Sequence, residues 1–245
     1  VSFDLDGTLI RGPFARVLRE LEAEVEPTPG RPGVRDEVFA RHEELLHTDS
    51  VAAYDWEQLV RENLSGRGRR MPFELLERLE QILAEHPATL LHERTREHLE
   101  RLTCAGWRVA LLTNGWRRYQ VPALRSAGIL DVFDVIVASD DVGVAKPEPP
   151  IFARVRAGAE VHVHVGDRVD HDVLGGKQSG ARTVLLRRDA AAADGTSAEE
   201  PTPTVDAYLR SLARAEGVPE DVPTDQLRPD IVRTSLSDLV DSLVR

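Results

Sequence analysis

The sequence predicts an α/β protein with a doubly wound parallel sheet and a second, helical domain inserted near the N-terminus. Three observations carry this. From Trp107 onward, short β-rich runs alternate with helical segments, the pattern of a parallel sheet covered on both faces. Residues 13–95 instead hold four or five amphipathic helical segments and no convincing strand. An acidic pair, Asp4 and Asp6, stands directly behind the apolar run Val1, Ser2 and Phe3, where a first strand would end.

The two-residue alternation of a strand projects Asp4 and Asp6 the same way, and Gly7 lets the chain turn off sharply. Only a short apolar run precedes Asp4, against a usual strand of about five or six residues, so residues ahead of Val1 are expected. Phe14, Val17, Leu18 and Leu21 then recur at helical spacing, as do Trp56, Leu59 and Val60, and Phe73, Leu76, Leu79 and Leu83. Turn-rich runs at 27–33 and 65–68 separate these helices. Strands are expected at 109–112, 132–137, 161–165 and 183–186. Residues 189–229 break the rhythm with alanines, prolines and a helical stretch near 205–215. They read as an insertion whose alanine and Thr-Pro portion is expected to be mobile. Ile231, Val232 and then Leu236, Leu239, Val240 and Leu243 resume a closing strand and helix. The core thus comprises 1–12 and 96–245, and the helical domain 13–95. Ligands of such sheets bind beyond the carboxyl ends of the strands, which singles out Asp4, Thr113, Ser139 and Asp167.

Composition narrows the function. With 245 residues, 41% of them hydrophobic, the chain can bury a full core and a smaller one. A net charge of -11 argues against sequence-independent binding to nucleic acid or to an anionic membrane, since both need a basic face. No run of eighteen apolar residues occurs and the start lacks a signal-like segment, so a cytoplasmic location is expected. Cys104, the single cysteine, reads as a buried thiol at a helix end. Of 31 basic residues only Lys146 and Lys177 are lysine, so each raises the question of what a compact ammonium does there. Lys177 reads as a solvated or helix-end cation. His162 and His164 share one strand face; packed core histidines outweigh a metal pair there. Arg41, His42, Tyr54 and Trp56 carry no site assignment.

Four polar constellations fall where this architecture is reactive: Asp4 with Asp6, Gly7 and Thr8; Thr113-Asn114-Gly115; Lys146-Pro147, with the proline suited to a helix first turn; and Gly166-Asp167 followed by Asp170 and Asp172. Together they meet the needs of phosphate-ester hydrolysis. A carboxylate nucleophile splits one hard step into two, but it must approach a dianion of its own sign. Asp4 and Asp167 at adjoining strand ends supply hard oxygen ligands suited to Mg2+, and Asp172 would orient a metal-bound water from outside the ligand set. Lys146 and the Thr113 hydroxyl balance charge on the phosphoryl oxygens, beside the Asn114 amide and the turn's N–H groups. Asp6 protonates the leaving alkoxide and then activates water.

In this order and spacing, Phe3-Asp4-Leu5-Asp6-Gly7-Thr8-Leu9, Leu112-Thr113-Asn114-Gly115, Lys146-Pro147-Glu148-Pro149-Pro150-Ile151-Phe152 and Val165-Gly166-Asp167 with Asp172 resemble the four motifs of the haloacid dehalogenase-like hydrolases. The resemblance covers residues 1 to about 188 and resumes at the terminal strand and helix. It implies a Rossmann-like core with an α-helical cap, Asp4 as nucleophile and Asp6 as acid/base. It further implies phosphate held by Thr113, Asn114 and Lys146, and Mg2+ held by Asp4, the main-chain oxygen of Asp6, and Asp167. Members that remove halide lack the second carboxylate, having no alkoxide to protonate, so Asp6 favours a phosphatase. A P-loop is disfavoured: His171 and Gln178 occupy positions where that motif needs Gly and Ser or Thr. The expected substrate is a small phosphorylated metabolite. A sugar-phosphate mutase of the same chemistry, and a non-catalytic binding or regulatory protein, stand as alternatives. Oligomeric state is not legible in the sequence.

Overall fold

The chain, described by a computed structural model over residues 1–190 and 202–244, opens with β1 (Ser2–Phe3) and β2 (Ile10–Arg11). Four helices follow: α1 (Phe14–Glu24), α2 (Val34–Leu46), α3 (Trp56–Ser65) and α4 (Leu75–Glu85). The apolar stripes of α1 and α3 fall where the helical spacing puts them, with Phe14, Val17, Leu18, Leu21, Trp56, Leu59 and Val60 buried together. By contrast, α4 starts after Phe73 and, leaving Phe73 and Leu76 partly buried, buries Leu75 and Ile82 beside Leu79 and Leu83. Each such side chain contributes about 1.5–3 kcal/mol on burial. Asp55 starts α3 by accepting from Gln58 N at 3.2 Å, satisfying an N–H that the first turn leaves free. Phe14 stacks on Trp56 with ring centroids 4.9 Å apart.

β3 (Thr89–Leu90) then pairs antiparallel with β2, Ile10 opposite Leu90, so the chain leaves for the helices and returns from them side by side. This ribbon departs from the expectation of no convincing strand between Leu9 and Trp107; two residues are too few to show an alternating pattern.

The rest alternates: α5 (Thr95–Cys104), β4 (Ala110–Thr113), α6 (Arg117–Ser126), β5 (Val135–Ala138), α7 (Ser139–Val142), α8 (Pro149–Arg156), β6 (Val163–Gly166), a π-helical turn (Val169–Leu174), α9 (Gly175–Gln178) and β7 (Arg182–Leu186). Then come α10 (Pro203–Ala215), α11 (Thr224–Leu227), β8 (Ile231–Arg233) and α12 (Leu236–Leu243). The six core strands are parallel in the order β5-β4-β1-β6-β7-β8. Chain order reverses at β1, which therefore lies at the switch point where such sheets bind ligands. β4 and β6 are buried throughout, as strands covered on both faces must be.

Several expectations shift. β5 starts at Val135 because Asp134 exchanges bonds with Val109 first, its Oδ2 accepting from Val109 N at 2.8 Å. The helix after Lys146 begins at Pro149, not Pro147, and the Lys146–Pro147 peptide is cis. Cys104 is exposed rather than buried, because it ends α5 on the solvent side. Lys177 is not simply solvated: its Nζ donates to the carbonyls of Asp225 and Arg228, each at 2.8 Å. It thereby fastens α11 to α9. Most of the stretch expected to be mobile, residues 191–201, lies outside the described residues, while α10 packs Val205, Leu209 and Ala213 against Val169, Val173 and Leu185. Among the described residues no helix is long and apolar enough to cross a membrane.

Candidate active site

The carboxyl ends of β1, β4 and β6 bring three of the four constellations together, and the loop before α8 brings the third-motif lysine. Asp4 follows β1, its N–H donating to Val165 O on β6 at 2.8 Å, so strand pairing itself fixes the base of the side chain. Lys146 Nζ lies 2.7 Å from Asp4 Oδ1 and 2.7 Å from Asp172 Oδ1, with only 2% of its side chain exposed. Thr8 Oγ1 is within reach of both Asp4 Oδ2, at 3.0 Å, and Asp167 Oδ1, at 3.2 Å. Gly7 permits this approach twice over. Its φ of 91° lies in the left-handed region, and a Cβ there would stand 2.5 Å from Asp167 Oδ2.

Asn114 serves as a clasp. Its Oδ1 accepts from Lys146 N at 2.7 Å and its Nδ2 donates to Lys146 O at 3.1 Å, so the second constellation holds the third by its backbone. Ser139, at the end of β5, donates to Asn114 O at 2.6 Å. The Thr113 hydroxyl accepts from Gly115 N at 3.1 Å, closing the turn after β4. In the π-helical turn both Asp172 N and Val173 N point to Arg168 O at 3.2 Å, and Asp172 Oδ2 accepts from Arg168 N at 3.1 Å. Such turns recur at functional sites because they re-aim one side chain.

Charge is unevenly spread. Burial pushes Asp4 up, partly opposed by Lys146. Burial also pushes Asp172 up, but Lys146 and His164 outweigh it and hold the carboxyl below the usual range. Lys146 would lose its proton to burial were it not for Asp172 and Asp4, which raise it above the ordinary lysine value. Asp167 takes what is left: burial first, then the charges of Asp4 and Asp172, push it up to about 8. Three carboxylates thus face one ammonium.

That surplus tests whether a cation fits. Asp4, Asp167 and Asp172 each bring an oxygen within 4.8 Å of the others. Hard carboxylate oxygens with a net negative charge and no soft donor suit Mg2+. Since Asp172 already meets Lys146, His164 and Arg168 N, the freer oxygens are those of Asp4 and Asp167.

Asp6 stands outside this cluster of three carboxylates and is exposed. Partial desolvation, then the charge of Asp4, push its carboxyl up to about 6, while Gln120 pulls it down. Gln120 Nε2 donates to Asp6 Oδ2 at 2.8 Å from α6. Sequence reasoning missed Gln120; the available signal was one amide among the buried positions Tyr119, Ala123 and Leu124 of an amphipathic helix. It also missed the bonds joining His162 and His164 to Ser2, each at 2.8 Å, and His164 to Asp172 at 2.9 Å. From the helical segment, the half-buried Tyr54 sits near enough to Arg168, Lys146 and Asp4 for their charges to act on its hydroxyl. His42 packs edge-on to Tyr54 at 5.1 Å and flat on Trp56 at 4.8 Å. The segment is also tied to α6 by Trp116 Nε1 donating to Val51 O at 2.9 Å and by Arg118 pairing with Asp55 at 2.6 Å.

Comparison with known proteins agrees with this geometry. Residues 1–180 match the haloacid dehalogenase-like hydrolase family. The chain is 32% identical over 190 residues to the pyrophosphatase PpaX of Halalkalibacterium halodurans, covering 76% of this chain and 82% of that one. Among solved structures, an HAD phosphatase from Thermococcus onnurineus is similar with a TM-score of 0.67 at 25% identity, over 99% of this chain and 96% of that one. A 2-haloacid dehalogenase from Pseudomonas syringae reaches 0.62 at 21% identity, over 100% and 97% of the two chains, a likeness of fold alone. With three constellations at strand ends of a six-stranded parallel sheet and Lys146 brought to them by a loop, the chain belongs to the haloacid dehalogenase-like hydrolases.

Proposed function

We propose that this protein is a Mg2+-dependent phosphomonoester hydrolase acting on a small phosphorylated metabolite through an aspartyl-phosphate on Asp4. The observation that carries the reading is Asp6. A second carboxylate, two residues from the nucleophile and pushed up to about 6, is a proton donor near neutral pH, which an alkoxide leaving group needs and a halide does not. The phosphatases among the relatives support the same side of the family.

In this reading a carboxylate oxygen of Asp4 attacks phosphorus as the bond to the leaving oxygen breaks, and Asp6 gives that oxygen its proton. Asp6, now a carboxylate, takes a proton from water as the water attacks phosphorus and the bond to Asp4 breaks. Lys146 and the Thr113 hydroxyl hold the phosphoryl oxygens, while Asn114 acts through the Lys146 backbone and through the turn it opens. Asp4, the main-chain oxygen of Asp6, and Asp167 would hold Mg2+, which when bound offsets the like charges of nucleophile and phosphate. Asp172 holds Lys146 and orients the metal's surroundings.

Residues 13–95 act as a cap over a core of 1–12 and 96–245, closing over the substrate and excluding water; the position of Tyr54 beside the charged cluster supports this. The acidic charge and single thiol suit a cytoplasmic enzyme without nucleic-acid partners.

The test is a panel of phosphate monoesters assayed with Mg2+ and with chelator, on the wild type, Asp4→Asn and Asp6→Asn. Metal-dependent phosphate release that Asp4→Asn abolishes is expected, with a loss of about 100- to 10,000-fold in Asp6→Asn. Metal-independent release, or full activity of Asp4→Asn, would sink the mechanism. Isomerised sugar phosphate without free phosphate would instead mark a mutase, and silence across the panel a binding protein.

A further inference from the structure

His162 and His164 enter no step of the proposed reaction, yet unbroken hydrogen bonds join them to its centre. Ser2 and His164 are register partners on β1 and β6, so their side chains share one face, beneath Asp4. Ser2 Oγ lies 2.8 Å from His164 Nδ1 and 2.8 Å from His162 Nε2, and His164 Nε2 lies 2.9 Å from Asp172 Oδ1. Ser2 and His164 are wholly buried and Asp172 is 2% exposed.

Donor and acceptor inventories set the direction of this chain. The Asp172 carboxylate only accepts, so His164 carries its hydrogen on Nε2. A neutral ring then accepts at Nδ1, and the Ser2 hydroxyl is the group in reach to donate. Ser2 Oγ, its hydrogen committed, accepts from His162 Nε2–H. The chain ends there, with His162 Nδ1 buried and without a hydrogen-bond partner among the described residues. At its other end Asp172 Oδ1 is shared between His164 Nε2 and Lys146 Nζ, which lies 2.7 Å away and reaches on to Asp4.

We infer that His164, held in its Nε2–H tautomer by Asp172 and fixed in orientation by Ser2, is a positioning residue for phosphoryl transfer: it fixes Asp172, and Asp172 sets the Lys146 ammonium against Asp4. The inference rests on the phosphatase reading. A residue that merely fills space would be replaced without loss by an apolar side chain of similar volume, whereas removal of this N–H frees Asp172 to rotate and Lys146 with it. The loss falls on the transition state, where the ammonium meets developing charge, more than on substrate binding.

Two features make the chain testable. Lys146 and Lys177 are the only lysines, so 15N-lysine labelling yields two ammonium signals, and the buried Lys146 Nζ exchanges slowly. Imidazole 15N shifts report the tautomer directly. The full chain is compared with His164→Leu, His164→Gln and Ser2→Ala, each checked for folding by thermal melting. Expected are a neutral Nε2–H His164 in the wild type and loss of the slow Lys146 signal in His164→Leu. Its kcat should fall about 10- to 100-fold while KM stays within about threefold. His164→Gln, whose amide N–H reaches toward Asp172, should restore most of the signal and rate, and Ser2→Ala, which frees the ring to turn while Asp172 keeps the hydrogen on Nε2, should give a weakened Lys146 signal and an intermediate kcat. The inference is overturned by a folded His164→Leu that keeps both the Lys146 signal and wild-type kcat, or by an Nδ1–H or doubly protonated His164. Should His164→Leu not fold, Ser2→Ala carries the same readouts. A wild type silent toward every ester overturns the phosphatase reading alone; the ammonium signal, which needs no substrate, still supports or overturns the placing of Lys146 by His164.

Discussion

Gln120 Nε2 lies 2.8 Å from Asp6 Oδ2, so the carboxylate proposed as acid and base is held by an amide on α6, the helix that follows the second constellation. Gly115 makes room for it, since a Cβ there would stand 1.7 Å from Gln120 Nε2. The bond occupies one oxygen of Asp6 and leaves the other to carry the proton toward substrate. Gln120→Leu is therefore expected to lower kcat about 10- to 100-fold with little change in KM, and Gly115→Ala to do the same by displacing the amide. Steady-state kinetics on the best substrate of the panel checks both. A Gln120→Leu enzyme with wild-type kcat would remove the positioning role.

Lys146 is the only cation placed between Asp4 and Asp172 by direct hydrogen bonds among the described residues, and it is buried. Removing one partner of a buried ionic cluster leaves uncompensated charge. Lys146→Met should cost about 3–5 kcal/mol of stability and abolish turnover. Lys146→Arg should rescue neither, because a planar guanidinium does not fit a space shaped for a compact ammonium. Urea denaturation at neutral pH gives the stability, and a Lys146→Met protein as stable as the wild type would contradict the electrostatic account.

Much of the site was legible because its polar residues interrupt apolar runs: Asp4, Thr113 and Asp167 each stand where a strand of the parallel sheet ends. The alternation that predicts the sheet thus predicts the place of the candidate site as well. The supporting contacts were not legible. Gln120 meets Asp6 across 114 residues and Ser2 meets His162 across 160, and no local period encodes such pairs. The β2 and β3 ribbon escaped notice because each strand has two residues. Cys104 misled because an apolar neighbourhood in sequence, Leu102 and Trp107, does not fix which side of a helix end faces water.

Asp167 shares its site with Asp4 and Asp172 against a single ammonium, and burial first, then repulsion from those two carboxylates, makes its charge costly in the absence of a cation. Asp167→Asn should therefore stabilise the metal-free protein, by about 1–3 kcal/mol at neutral pH. The same change should remove the rise in melting temperature that millimolar Mg2+ is expected to give the wild type, since binding to the folded state alone stabilises it. Thermal melts with and without Mg2+ decide the matter. A variant less stable than the wild type without metal, yet still stabilised by Mg2+, would place the cation elsewhere.

Glu216 reaches from the end of α10 to the turn that carries Asp170 and Asp172, its Oε2 accepting from Val169 N at 2.7 Å and Asp170 N at 3.0 Å. Burial first, then the charge of Asp170, push its carboxyl from 4.5 up to about 7, while the two N–H bonds and Arg168 pull the other way. A carboxyl raised on folding favours the folded state while protonated. That contribution is complete below about 4.5 and is lost as pH rises through about 7. Glu216→Gln cannot ionise, so its stability relative to the wild type should climb over this window and level off above it, by about 1–2 kcal/mol in all. Any fixed cost of the changed side chain shifts the curve without bending it, so the slope alone carries the result. Urea denaturation of both proteins between pH 4.5 and 8.5 measures it. A difference that stays flat would mean that Glu216 titrates as an ordinary carboxyl and does not feel Asp170 or its own burial.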